Sequence, residues 1–382
     1  LGEMNSTHPW SNIPFSVIDC PKHKELALKM AHESLVLLQN NNNILPLNRQ
    51  MKVAVIGPNA NDSVMQWGNY NGFPSHTVTL LEGIRAKLPD AQIIYEPVCG
   101  YTNDTTLHSL FNQCSIDGEA GFNATYWNNR EYKGKIAATD RLTTPFHFSA
   151  EGSTVFAPGG ISPLLEGESM RVSDPGFKGG DRTEIELPAI QREVLALLKK
   201  NGKKTVFVNF SGSAMAIVPE TQNCDAILQA WYPGQAGGTA VADVLFGDYN
   251  PAGRLPITFY KSMQQLPDYE DYSMKGRTYR FMTETPLYPF GYGLSYTRFS
   301  YGKATLNQSK LTKGEKAILT IPVSNVGQRD GEEVVQVYIC RPDDKEGPQK
   351  TLRGFQRVSI AKGKTQNVQI ELPYDSFEWC DA

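Results

Sequence analysis

The run Val53-Ala-Val-Ile56, closed by Gly57 and Pro58, constrains this chain more than any other stretch. It offers no polar position to turn toward water. Such a run suits a strand buried on both faces of a parallel sheet, with a loop at its C-terminal end. Gln92–Tyr95, Thr205–Asn209 and Ala226–Trp231 read the same way. Segments of helical period alternate with them. Asp19–Asn40 carries Leu26, Met30, Leu35 and Leu38 near one face, with Asp19 and Pro21 as start signals; Leu80–Leu88, Leu187–Leu197 and Ala236–Phe246 follow. Strands alternating with helices predict a mostly parallel α/β sandwich over about residues 20–265.

That pattern is interrupted at about 115–160 by a segment rich in aromatics, glycine and threonine, where Phe122–Tyr132 and Pro145–Ala157 look like hairpin material. It is too short to close a sandwich alone. Past Leu287 the period changes to two. Glu315–Val323, Glu333–Cys340, Arg353–Ile360 and Thr365–Leu372 alternate, with turns at Lys313-Gly314, Asp330-Gly331 and Lys362-Gly363. An all-β sandwich of immunoglobulin or fibronectin type III kind is expected over 291–382, reached through a linker at 266–290. The rings of Arg277-Thr-Tyr-Arg280 and Tyr288–Tyr296 are expected to lie against both domains and fix the angle between them.

With 382 residues, 40% hydrophobic and 20% charged, the chain is long enough for two or three folded domains. A net charge of −3 gives no basic surface for nucleic acid or anionic lipid. No run of about 18 apolar residues is present to span a membrane. Leu1 opens into a polar segment with no leader-like stretch, so residues 1–20 read as a linker from a preceding domain. The six cysteines lie in no C-x-x-C or zinc-ligand spacing; they read as buried thiols, or as one disulfide with Cys99 and Cys114 the closest pair. Nothing calls for a metal or cofactor.

Three motifs have chemical potential. Gly57-Pro-Asn-Ala-Asn61 lacks the third glycine of a dinucleotide loop and reads as a turn at a ligand crevice. Glu166 and Glu168 flank a glycine in Leu165-Glu-Gly-Glu168. A general acid needs a carboxyl on a loop free to approach a leaving oxygen, although two loop glutamates are ordinarily just solvated. Trp67-Gly-Asn-Tyr70 and Trp231-Tyr-Pro-Gly-Gln235 put aromatics beside glycines. Rings so placed can stack on sugars; more commonly they anchor loops.

Taken together, Val53–Asn59, Gly68–Gly72, Asp181-Arg182 with Leu187-Pro188, Ser211–Ser213, Trp231–Gln235, Pro251–Pro256 and Pro289–Tyr296 resemble glycoside hydrolase family 3, and Gly68–Pro74 with Ile161–Glu168 resemble its β-xylosidase branch. Gly121–Trp127 is similar to the opening of a PA14-type sandwich, cut short here. The resemblance implies a retaining hydrolase of xylo-oligosaccharides whose Asp nucleophile sits on a preceding (β/α)8 barrel absent from this chain. It implies Glu168 as acid/base, with Glu166 second; Trp67 and Tyr70 remain the ring-bearing candidates for the substrate. The ten residues from Ser169 to Lys178 lengthen the family's spacing before Asp181-Arg182. It also implies a periplasmic or secreted location. A β-glucosidase, an α-arabinofuranosidase and a non-catalytic carbohydrate-binding protein are the competing readings.

Overall fold

The computed structural model describes residues 10–142, apart from 11, 69–70, 101–114, 117, 128 and 130–131, and residues 177–378, apart from 179–180. Its first helix, α1, is Pro21–Ser34, with proline at the start, where its missing N–H costs nothing. The predicted helix to Asn40 is not formed. Leu35 turns extended at ψ 130°, and β1 runs Val36–Asn40. Every side chain from Leu35 to Leu38 is at most 1% exposed. A run that buries consecutive residues to both sides is satisfied by a strand between two layers, whereas a helix would turn part of it outward. The predicted apolar face is also wrong: Leu26 and Met30 are 55% and 61% exposed, and Ala31 is the buried residue of α1.

Further along come β2 (Val53–Ile56), α2 (Leu80–Arg85), β3 (Ile93–Glu96), β4 (Phe122–Trp127), β5 (Ile136–Leu142), α3 (Ala189–Lys200), β6 (Val206–Asn209), α4 (Val218–Asn223), β7 (Ala226–Gln229) and α5 (Gly237–Phe246). The core sheet has the order β1-β7-β6, with β6 parallel to β7 and β1 antiparallel to it. Side chains of β1 and β7 alternate between two cores. Leu37, Ala226 and Leu228 pack with α2 and α5, while Val36, Leu38 and Ile227 pack with Leu187, Ile217 and Phe259. β2 and β3 form a separate parallel pair. The pair is not buried on both faces as its sequence suggested, since Ala54 and Ile94 are exposed. β4 and β5 make an antiparallel hairpin; Pro145–Ala157 lies outside the described residues.

The C-terminal domain holds β8 (Phe299–Tyr301), β9 (Thr305–Leu306), β10 (Lys316–Asn325), β11 (Gly331–Ile339), β12 (Thr351–Ile360) and β13 (Thr365–Pro373). β10 pairs β13 along its length and β11 pairs β12, enclosing Val323, Val335, Val358, Val368 and Ile370. Gly314 and Gly363 take φ of 92° and 71° at the turns foreseen there.

The aromatic linker does lie on both domains. Tyr279 stacks on Phe290 with centroids 4.2 Å apart, and Tyr338 of β11 meets both rings edge-on. Toward the α/β domain, Leu294 N donates to Leu37 O at 2.8 Å. The Tyr292 and Tyr296 hydroxyls donate to Leu38 O and Val244 O at 3.1 and 2.8 Å. Arg254 and Glu333 form an ion pair across the junction at 2.8 Å, their side chains only 12% and 11% exposed; Tyr301 donates to the other carboxylate oxygen at 2.9 Å.

Candidate functional site

The loops that follow β2, β6 and β7 meet. After β2, Gly57 takes φ 117°, which only glycine adopts readily, and turns the chain out of the strand. Asp62 Oδ1 then accepts the amides of Val64 and Met65 at 2.8 and 3.1 Å, setting up the short helical turn Met65–Trp67. Trp67 is partly buried. Its indole Nε1 donates to Thr77 Oγ1 at 2.7 Å, and its ring meets Phe73 edge-on at 5.9 Å.

Gln66 laces this loop to the one after β7. Its carbonyl accepts Gly234 N at 2.9 Å, and its Nε2 donates to Val78 O at 3.1 Å. Val78 N in turn donates to Gln235 O, and Gly238 N to Val78 O, both at 2.9 Å. The β7 loop begins at Trp231, a non-glycine residue at φ 59°. That conformation costs on the order of 1–3 kcal/mol and persists only where the surroundings impose it. Here they do: Trp231 packs edge-on against the fully buried Phe259 at 6.2 Å, and its Nε1 donates to Ser34 O at 3.0 Å.

Tyr232 lies between two glycines. A Cβ on Gly68 would come within 2.9 Å of its ring, and one on Gly212 within 2.6 Å. Neither position has room for a side chain, which is why both loops need glycine there. Gly212 belongs to the Ser211-Gly-Ser213 turn after β6. A buried amide chain holds that turn: Asn209 Nδ2 donates to Gln229 Oε1 at 2.6 Å, and Gln229 Nε2 to Ser211 O at 2.9 Å. The Arg182 guanidinium donates to Ser213 Oγ and to Met215 Sδ.

Of the sequence-predicted site residues, Trp67 is therefore placed on this face. Tyr70, Glu166 and Glu168 lie outside the described residues, as does Cys114. The two aromatic loops read separately from the sequence are brought together. Gln66, Thr77 and the Asn209–Gln229 pair were missed; each is an ordinary polar residue whose role depends on its partner across the fold. Among the described residues no group of three or more His, Cys, Asp or Glu is placed to hold a metal ion, and no helix is long and apolar enough to cross a membrane.

One carboxylate stands apart. Glu220 of α4 is fully buried, and neither of its oxygens has a hydrogen-bond partner. Arg192 approaches it at 3.7 Å from the wall of an open pocket of about 550 Å³ that Glu184, Glu186 and Lys261 also line. Burial pushes the Glu220 carboxyl above its usual range, and burial likewise lifts the nearby Cys224 thiol to about 12.

The glycosyl hydrolase family 3 C-terminal domain matches residues 35–296, the span in which these three loops meet. The chain belongs to this family. A fibronectin type III-like domain matches residues 333–382, within the sandwich described above. The chain is 41% identical to a xylan 1,4-beta-xylosidase of Xylanibacter ruminicola, covering 100% of this chain and 57% of the relative. It is 32% identical to a periplasmic beta-glucosidase of Salmonella typhimurium, covering 94% and 46%. Among solved structures, a β-glucosidase from Erythrobacter marinus superposes with a TM-score of 0.70 at 34% identity, over 96% of this chain and 47% of that one. The chain thus spans about half the length of the relatives it matches. The alignment with the Xylanibacter protein is 496 residues long against 382 here, so that relative carries sequence with no counterpart in this chain.

Proposed function

We propose that this chain is the C-terminal part of a retaining, exo-acting β-glycosidase that hydrolyses xylo-oligosaccharides, with Glu168 as acid/base and Glu166 the second choice. One observation carries the reading. The segment with both glutamates leads into Asp181-Arg182, and Arg182 is tied to Ser213 on the turn that packs Tyr232. Arg182, fourteen residues after Glu168, is thereby anchored where the three loops meet. Xylose is favoured over glucose because the 41%-identical relative is named a xylosidase.

In the reaction, a carboxylate on the preceding barrel attacks the anomeric carbon while Glu168 protonates the leaving oxygen. Glu168 then takes a proton from water as it releases the glycosyl-enzyme. Retention requires the two carboxyls about 5–5.5 Å apart. Trp67 and Tyr70 supply ring faces to the sugar. The segment at 115–160 is a shortened PA14-like insert, and the protein acts outside the cytoplasm, in keeping with the name of the periplasmic relative.

The test uses the parent protein with its barrel. Glu168→Ala is compared with Glu166→Ala on aryl β-xylosides of good and poor leaving group, with and without azide. Loss of activity on poor leaving groups, with azide rescue, in Glu168→Ala alone supports the assignment. The same behaviour in Glu166→Ala alone moves the role by two residues. Full activity in both removes the acid/base role from this loop. A parent protein that binds xylo-oligosaccharides and turns over none is a binding protein instead.

A further inference from the structure

Two domains share the C-terminal end of α1. The Glu33 carbonyl accepts Nη2 of Arg357, on β12 of the sandwich, at 3.1 Å. The next carbonyl, Ser34, accepts the Trp231 indole N–H at 3.0 Å. A helix leaves its last carbonyls without internal donors and gathers partial negative charge there, and a guanidinium answers both needs. Arg357 is itself aimed: its Nη1 donates to Glu332 Oε2 at 3.0 Å, on which the Tyr249 hydroxyl also converges at 3.5 Å. Gly253 passes so close that a Cβ there would lie 2.2 Å from the Leu35 carbonyl. The helix end is held from three directions and has little freedom to relax.

Trp231 is where this restraint is felt. It keeps a left-handed backbone, and Tyr232, the next residue, fills the slot between Gly68 and Gly212. A small shift of the Ser34 carbonyl changes the length of the indole bond and, through it, the seat of Tyr232.

We propose that Arg357 of the β-sandwich is a positioning residue for the Trp231–Gln235 turn, acting through the C-terminal carbonyls of α1. The turn's place in a sugar site rests on the glycosidase reading above; the mechanical link does not.

Hydrogen exchange on this chain, resolved to peptides by mass spectrometry, tests the link without any turnover. Arg357→Met keeps the aliphatic stem and removes both charged hydrogen bonds. Amides in 231–236 are expected to exchange about tenfold faster, the scale of one charged hydrogen bond, while β10 and β13 keep their protection. Arg357→Lys, which keeps the charge, gives a smaller acceleration. Arg353 sits on the same strand and donates to Glu378 O at 3.2 Å, so Arg353→Met leaves 231–236 unchanged. In a Trp231→Phe background, which lacks the indole donor, Arg357→Met no longer alters 232–236. Unchanged exchange in 231–236 with a loosened β12 or α1 end overturns the proposal. If Arg357→Met unfolds the sandwich, Arg357→Lys decides: acceleration in 231–236 supports the link and no change rejects it. A failed Glu168 assignment touches none of these readouts.

Discussion

Replacing Gly83 by alanine sets two effects of opposite sign against each other. Gly83 lies in α2, a six-residue helix begun by a capping box between Thr79 and Glu82. Alanine favours a helix over glycine by about 1 kcal/mol. Against that, an added Cβ would sit 2.1 Å from the Gly238 carbonyl oxygen of α5, where ordinary contact begins near 3.4 Å. The carbonyl of Gly238 and the amide nitrogen of Thr239 behind it are all backbone, so α2 and α5 must part by about 1.3 Å. Overpacking of this kind costs typically about 1–3 kcal/mol and more where nothing yields. Parting the helices also strains the Gly238 N to Val78 O bond, worth about 1 kcal/mol. With overpacking at its upper end of about 3 kcal/mol, because backbone cannot yield, the strained bond and the helix gain cancel, and the net loss is about 3 kcal/mol. At roughly 2–4 °C per kcal/mol for a domain of this size, the melting temperature falls by about 6–12 °C. Differential scanning calorimetry of the chain reads this directly. Gly72→Ala, with open space around it, is the control and should move less than about 2 °C. A melting temperature for Gly83→Ala at or above wild type would refute the packing argument and leave helix propensity in charge.

Glu220 makes stability depend on pH. Its folded carboxyl titrates above the ordinary 4.5, because burial disfavours the charge and Arg192 only partly compensates. The folded chain therefore binds the proton more tightly than the unfolded chain, and this contribution is lost as pH rises from 4.5 through the folded value. Urea melts of Glu220→Gln from pH 4 to 8 should show a flatter profile and higher stability than wild type at neutral pH; a wild-type profile in the variant would dismiss the effect. At the domain junction, Arg254→Met leaves Glu333 buried without its cation and should cost about 3–5 kcal/mol, whereas joint replacement of both by apolar residues should cost much less. Chemical denaturation of the single and double variants checks the difference.

How legible all this was depended on whether neighbours in sequence are also neighbours in space. The sandwich strands were readable because the alternation of Val335, Val358 and Val368 with polar residues reports one buried face directly. The α1–β1 boundary was not. Leu35–Leu38 is apolar at every position, and such a run fits a strand buried on both sides or the continuation of a helix equally well. The aromatic loops could be marked as candidates from their glycines, yet only the fold shows Tyr232 lying between Gly68 and Gly212. Glu220 gave no signal at all: Pro219-Glu-Thr-Gln222 looks like surface, and burial comes from the packing of α4.

The linker's way of holding the two domains bears on how such proteins can be recombined. Its grip on the α/β domain is taken partly through backbone oxygens, at Leu37, Leu38 and Val244, and partly through side chains: Tyr288 packs edge-on against Phe259 at 6.4 Å, and Asn250 Oδ1 accepts Tyr296 N at 2.8 Å. Its grip on the sandwich runs through the ring of Tyr338 and the amide of Gln336, which donates to Gly291 O at 3.0 Å. The linker thus belongs with the sandwich through its rings, while on the α/β side it asks for Phe259 and Asn250 as well as for backbone oxygens. A chimera that imports a sandwich from another family member should be joined ahead of Arg277. The donor's own rings then travel with the strands they fit, and a seam placed at Thr297 would part Tyr338 from both of its partners.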